Sequence, residues 1–307
     1  MSNPVVDFPT CAVCGTDSWR TVYEGPIRDG AFGATREARV CRCDTCGVDR
    51  VAEQACLPIE SYETVAYRHL LKQDHDAAHH NEAHDELARF TLDTLWPISL
   101  RGKTVADLGC GGGALLDHVR GLASKIVAID PSEPFAPSLK SRGYAWFPSA
   151  AAAAKDYAGK VDVVLSTHVV EHVDDPLAFL RGIASLLAPD GVAVVSTPNR
   201  RDILTELLPD IFPTFFYRTQ HRWAFDAASL GYAATRAGLQ VDELRHVHRY
   251  GLANTMHWLK EGRPHGRTPM APLDGAIDLH WQAWLESTGR ADNLYLIAHR
   301  AHNGDSR

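Results

Sequence analysis

The sequence predicts an α/β protein, a doubly wound parallel sheet preceded by a small cysteine-bearing head. Five of the seven cysteines lie between Cys11 and Cys46, which sets that stretch apart in composition. From Thr104 onward strand-like and helix-like patterns alternate, the signature of parallel strands joined by crossover helices. The 307 residues also exceed the length of a single average domain, leaving room for both parts.

Hydrophobic residues at 45% and charged residues at 22% match a globular chain, excluding wholesale disorder and fibrous architectures. No apolar run of about 18 residues occurs, so no membrane helix is expected. Met1 to Thr10 lacks the basic and apolar regions of a secretory signal, and the expectation is a cytoplasmic protein. With 31 Lys+Arg against 38 Asp+Glu, the net charge of -7 repels a polyanion unless a local basic patch overrides it. Nucleic acid is therefore not the expected partner. The expected organisation is a head over residues 1–57, a helical linker or lid over 58–98, and a main domain over 99–307 with an insertion at about 249–289.

In the head, Cys11-Ala12-Val13-Cys14-Gly15 and Cys43-Asp44-Thr45-Cys46-Gly47 form two C-x-x-C-G units, 28 residues apart. Each presents two thiolates on one tight turn, and its glycine allows close backbone approach. An odd cysteine count in a reducing compartment speaks against a disulfide framework, whereas four thiolates suit tetrahedral zinc. Cys11, Cys14, Cys43 and Cys46 are the expected ligands of a structural zinc whose closed coordination does no chemistry. Cys41, in a C-x-C with Cys43, stays open as an alternative ligand. Cys56 and Cys110 read as small apolar fillers.

Ser61 to Trp96 reads as mostly helical and ends at Pro97. Its His75/His79 and His80/His84 pairs could bind metal, but the charged neighbours favour a solvated face. Next come the strand Thr104–Leu108, a glycine turn Gly109–Gly113, a helix Ala114–Leu122 and the strand Ile126–Asp130. Further strands are expected at 144–147, 161–166, 192–197, 239–247 and 294–299. The helix before the fifth strand is bracketed by Asp174-Asp175-Pro176 and Pro189-Asp190-Gly191, as cap chemistry requires. The insertion carries Trp258, Trp281 and Trp284, and is expected either to shape an acceptor pocket or to serve as a packing or oligomer contact.

Asp107-Leu108-Gly109-Cys110-Gly111-Gly112-Gly113 places D-x-G-x-G-x-G where the first strand meets a helix, and Asp130 closes the second strand. Glycines there admit a ligand to the backbone, and a strand-end carboxylate can accept two ribose hydroxyls. At these residues the sequence resembles the class I S-adenosylmethionine-dependent methyltransferases, over about Thr104 to Asn199. The resemblance implies a Rossmann-like sheet and an S-adenosylmethionine site drawing on Asp107, Gly109, Gly111 and Gly113, with Asp130 on the ribose. It assigns the third-strand turn to adenine, where Ser149 stands in place of a common acid. Tyr67, or Tyr62 near it, could lid the cofactor, since an aromatic face stabilises a sulfonium, or could equally pack on the cysteine-bearing head.

After the fourth strand, His168, Glu171 and His172 stand at i, i+3 and i+4 and would share one face if helical. H-x-x-E-H is also an inverted zinc-peptidase pattern, but that context is a long helix. The segment is similar to the E-x-x-E-H element of ubiquinone-biosynthesis and small-RNA 2′-O-methyltransferases, in which a divalent ion lies beside the acceptor hydroxyl. Here His168 replaces the first Glu, favouring a softer ion. Two readings stay open: a second divalent metal, or a metal-free arrangement in which His168 or His172 is general base. By the same resemblance, His221 is a candidate fourth member. The expectation is a methyltransferase acting on a small-molecule acceptor, at oxygen of a sugar, phenol or related intermediate. The alternative is nucleotide-sugar C-methylation, because the paired C-x-x-C-G head is similar to such enzymes. RNA modification and metallohydrolysis are more distant alternatives, and a homo-oligomer remains open.

Overall fold

The structure, a computed structural model, describes residues 8–30, 33–64, 70, 76–273 and 275–301. The chain divides into two compact units. One comprises Met1–Cys56, Thr197–Leu230 and Leu244–Tyr295; the other Leu57–Ser196, Gly231–Glu243 and Leu296–Arg307.

The first unit holds a four-stranded sheet in the order β1-β2-β3-β9. Here β1 is Trp19–Arg28, β2 Thr35–Cys43, β3 Asp49–Val51 and β9 Trp223–Ala224. The pairs are antiparallel, with Val40 opposite Val51 and Asp49 opposite Ala224. The cysteine-bearing strands therefore take their fourth strand from much later in the chain. Ile27, Val40, Val51, Ala55 and Cys56 bury their side chains together. A second core forms where α6 (Ile203–Leu207) and α7 (Phe212–Phe216) meet α9 (Leu252–Glu261) and α10 (Gly275–Ser287). Trp258 is buried there edge-on to Phe212 and Phe215, so the expected insertion packs against α6 and α7 rather than standing alone, while Trp284 stays exposed.

The main sheet has seven strands in the order β10-β11-β8-β7-β4-β5-β6. They are β4 (Thr104–Leu108), β5 (Lys125–Ile129), β6 (Ala145–Phe147), β7 (Val161–Thr167), β8 (Leu187–Pro198), β10 (Leu239–Val247) and β11 (Asn293–Arg300). β4 pairs in parallel with β5 on one side and β7 on the other, and β5 with β6 and β7 with β8 are also parallel. Strand order thus reverses at β4, which opens a crevice at the carboxyl ends of β4 and its neighbours. The expected doubly wound sheet is what the chain forms, because Val- and Ile-rich runs buried on both faces suit a central parallel sheet. Crossover helices include α2 (Ala114–Val119), α3 (Ala136–Ser141), α4 (Ala150–Tyr157) and α5 (Pro176–Leu186). Asp175 caps α5 by accepting from the Ala178 amide, with Pro176 in its first turn. α8 (Ala227–Arg236) precedes β10.

Within the stretch expected to be mostly helical from Ser61, Leu70 is helical, and residues 65–69 and 71–75 lie outside the described residues. Ile59–Glu63 is a short 3-10 turn, and α1 runs Ala77–Thr94 from an Asp76 cap that accepts from the Ala78 and His79 amides. Its histidines do not all face solvent. His80 is buried, its ring 4.9 Å from that of Phe135 and 4.0 Å from that of His84, because this face packs on the sheet domain. His75 lies outside the described residues. No helix among the described residues is long and apolar enough to cross a membrane.

Candidate active site

In the second unit, the turn leaving β4 is forced by its neighbours. Gly109, Gly111 and Gly113 all have positive φ, and a side chain at Gly109 would overlap Val169. A Cβ at Gly112 would meet Asn81 and His80, so α1 packs directly on this loop, a contact with no signal in the sequence. Arg142 also reaches it, donating to the Gly112 carbonyl and to Asp117. α2 starts immediately after, at Ala114, with Gly113 as its cap.

Asp130 closes β5 as expected, and its two oxygens accept from the Gly111 amide at 2.7 Å and the Ser132 amide at 2.9 Å. The carboxylate therefore ties the glycine loop to the end of β5. Asp107 is buried in β4, and burial first, then the charge of Asp130, pushes its carboxyl up to about 7. Among the described residues no cation is paired with it. Such a site suits a ligand that brings its own positive charge. Ser149 caps α4 by accepting from the Ala152 amide at 3.2 Å. Tyr67 lies outside the described residues.

His168, Glu171 and His172 converge, but by a turn rather than a helical face. His168 donates its amide to Ser196 at 3.0 Å, prolonging the β7–β8 ladder by one bond, and then adopts φ 55, the one positive φ among described non-glycine residues. That left-handed residue ends the strand sharply and is backbone strain of the kind that collects at functional sites. The His172 amide closes the turn on the Val169 carbonyl at 2.9 Å. Glu171 is fully buried, with Oε1 at 3.4 Å from His168 Nδ1 and 3.9 Å from His172 Nε2. Burial, the largest influence, pushes the Glu171 carboxyl up. The His168 hydrogen bond and the two imidazoles outweigh it and hold the group below its usual range. The other His168 nitrogen, Nε2, is buried with no hydrogen-bond partner among the described residues. An orphaned imidazole nitrogen beside an ionised carboxylate fits either a proton acceptor or a metal ligand. Tyr62 joins the group, its hydroxyl 3.1 Å from His172 Nδ1.

In the first unit, Cys11, Cys14, Cys43 and Cys46 bring their sulfurs within 4.8 Å of one another. The glycines after each pair, Gly15 and Gly47, turn with positive φ and return their amides to the Cys11 and Cys43 carbonyls. A hydrogen bond from Cys46 lowers the Cys11 thiol to about 5. The same bond and then burial push Cys46 up, and burial raises Cys14 to about 11. Four thiols so crowded cannot all ionise without a cation, and the set fits a tetrahedral zinc ion. Cys41 is not in this group; its sulfur faces the Thr21 hydroxyl at 3.6 Å. His221 lines a small recess with Pro198, Phe216, Tyr217, Trp223 and Ala224.

Residues 78–244 match a family described as methyltransferase domain. The chain is 38% identical over 121 residues to a ubiquinone biosynthesis O-methyltransferase of Caulobacter sp. (strain K31), covering 37% of this chain and 48% of that protein. The match to the enzyme of the same name from Thiobacillus denitrificans is 32% over 168 residues, covering 50% of this chain and 70% of that protein. The chain thus spans about half the length of the first of these relatives. A solved structure, an S-adenosylmethionine-dependent methyltransferase from Archaeoglobus fulgidus, is similar with TM-score 0.48 and 17% identity, over 70% of this chain and 93% of that one.

Proposed function

Since the chain belongs to the methyltransferase-domain family, we propose that it transfers the methyl group of S-adenosylmethionine to a hydroxyl of a small acceptor such as a sugar, a phenol or a related intermediate. One observation carries this reading: the glycine turn after β4, the carboxylate after β5 and the His168–Glu171–His172 turn after β7 all open on the carboxyl edge of one parallel sheet, at its switch point.

S-adenosylmethionine, when bound, supplies an electrophilic methyl carbon on sulfur and leaves as S-adenosylhomocysteine. The backbone at Gly109, Gly111 and Gly113 admits it closely, Asp130 accepts from its ribose, Asp107 offsets its positive charge, and Ser149 borders its base. Alignment of donor and acceptor supplies most of the rate, because the methyl group is already activated. What the acceptor still requires is loss of its hydroxyl proton as the methyl–oxygen bond forms. His168 Nε2 takes that proton, and Glu171, at Nδ1, steadies the imidazolium. His172, fixed by Tyr62, completes the turn, and His221 keeps the acceptor role that resemblance gives it. A divalent ion held by His168, Glu171 and His172 would instead lower the hydroxyl's pKa directly. Zinc on the four cysteines is structural in either case.

Calorimetry with S-adenosylmethionine tests the donor site: Asp130→Asn is expected to weaken binding about 100-fold, from loss of charged hydrogen bonds. Transfer of labelled methyl to a panel of phenols and sugars tests the rest. His168→Ala and Glu171→Ala should lower kcat at least 100-fold with donor affinity intact, and His221→Ala is tested alongside. No donor binding would overturn the reading. A second reading, methylation at carbon of a nucleotide-linked sugar, draws on the paired C-x-x-C-G head, and the position of the label in the product separates the two.

A further inference from the structure

Two arginines of the first unit are held together without an acid paired to either among the described residues. Arg28 ends β1 and Arg218 follows α7, and they form a parallel bridge, with the Arg28 amide donating to the Tyr217 carbonyl at 3.1 Å and the Thr219 amide to the Arg28 carbonyl at 2.9 Å. Directly paired residues on adjacent extended segments project their side chains to the same side. Both guanidiniums lie at one aromatic ring, the Arg28 carbon 4.4 Å and the Arg218 carbon 5.6 Å from the Phe215 centroid. A guanidinium stacked by its face keeps its N–H edge free to donate.

Elsewhere in this unit buried arginine is matched to acid. Arg42 pairs with Asp49, Arg50 and Arg222 with Glu53, and Arg200 with Asp226. Arg28 and Arg218 have no ion pair among the described residues, and the Nε of each is buried with no hydrogen-bond partner. Asp29, next in sequence, is engaged by the Thr219 hydroxyl and by Arg36. Burial lowers the Arg28 guanidinium to about 10, with Tyr250 opposing. Two partly buried like charges on one ring repel each other and become favourable once an oxyanion accepts from both forks.

We propose that Arg28 and Arg218, backed by Phe215, form an anion subsite that binds the phosphoryl or pyrophosphoryl group of a small molecule. The choice of phosphate follows from valence. Two forks carrying two charges match a dianion with three terminal oxygens, whereas a single carboxylate would leave one fork unmet.

The test is calorimetry on the full-length, metal-replete protein with inorganic pyrophosphate, and in parallel with acetate, both without methyl donor. Pyrophosphate should saturate one site per chain, more weakly at higher salt. Arg28→Gln and Arg218→Gln should each weaken it at least tenfold, and the control Arg89→Gln on α1 should leave it unchanged. Arg28→Lys and Arg218→Lys keep charge and stem but lose the fork, and an intermediate loss from these variants supports the assignment even if the Gln variants fold poorly. Absence of saturable heat, variants that bind as tightly as the parent, or acetate binding as tightly as pyrophosphate would each overturn it. Because donor is omitted, failure here leaves the methyl-transfer reading standing, and failure of donor binding leaves this subsite standing.

Discussion

Each unit buries two aspartates within electrostatic reach of each other and settles them differently. In the first, burial and then Asp292 push the Asp202 carboxyl up to about 7. His248 sits beside the pair, with Nδ1 3.3 Å from Asp292 Oδ1. Burial pushes Asp292 up, but the His248 hydrogen bond and charge outweigh it and hold it below the usual range. His248 is raised in turn, burial opposing and Asp292 prevailing. In the second unit Asp130 is satisfied by backbone amides and Asp107 rises to about 7, with no histidine or arginine paired to it among the described residues. Where the chain provides the cation, the pair belongs to the architecture. Where it does not, Asp107 is left raised beside Asp130, and the proposed donor, S-adenosylmethionine, would bring the missing positive charge.

The strongest way to press this contrast is at the four cysteines, the other buried acid group that needs a cation. Cys43→Ser, or a strong chelator, should cost on the order of 5 kcal/mol or prevent that unit from folding. An unchanged melting temperature would mean that no structural metal is held there.

Next is Asp107. Its carboxyl titrates at about 7 folded and at about 4 unfolded. The folded state therefore binds more protons between those values, and stability falls as pH rises through that window. Asp107→Asn should stabilise the donor-free protein by on the order of 3 kcal/mol at pH 8, with the gain vanishing toward pH 4. Saturating S-adenosylmethionine should shrink the gain at pH 8. Denaturant melts across pH check both.

His248→Gln should act in the opposite sense. A histidine raised above its ordinary value contributes fully below about pH 6.5 and loses that contribution as pH rises through its folded pKa. The variant should lose about 2 kcal/mol at pH 6 and less at pH 9, in the same melts. The smallest effect belongs to Cys41→Ser. Its sulfur faces only Thr21 among the contacts described, so metal content should not change and stability should shift by less than about 1 kcal/mol.

Much of this was legible along the chain because the signals are contiguous. The two C-x-x-C-G turns, the glycine loop and the acid closing β5 each lie within a few residues, and β4 and β10 have the bounds their patterns predict. The H-x-x-E-H spacing was legible as a grouping but not as a shape. A helical face would have brought its three side chains together, yet the turn does so through the left-handed backbone at His168, a conformation histidine adopts more often than most residues but that the spacing alone does not announce. His80 misled because its charged neighbours describe the exposed side of α1 while its own ring packs on Phe135.

The sequence alone settled the alternation that makes a parallel sheet, the thiolate set and the loop and acid at the strand ends, since backbone freedom and ligand type are written in residues that stand together. Only the tertiary structure decided that Trp223–Ala224 completes the cysteine-bearing sheet, that Asn81 and His80 crowd the glycine loop, and that Arg28 meets Arg218. Such pairings join residues far apart in the chain. They are chosen by which surfaces can be buried against each other, and no local spacing encodes that.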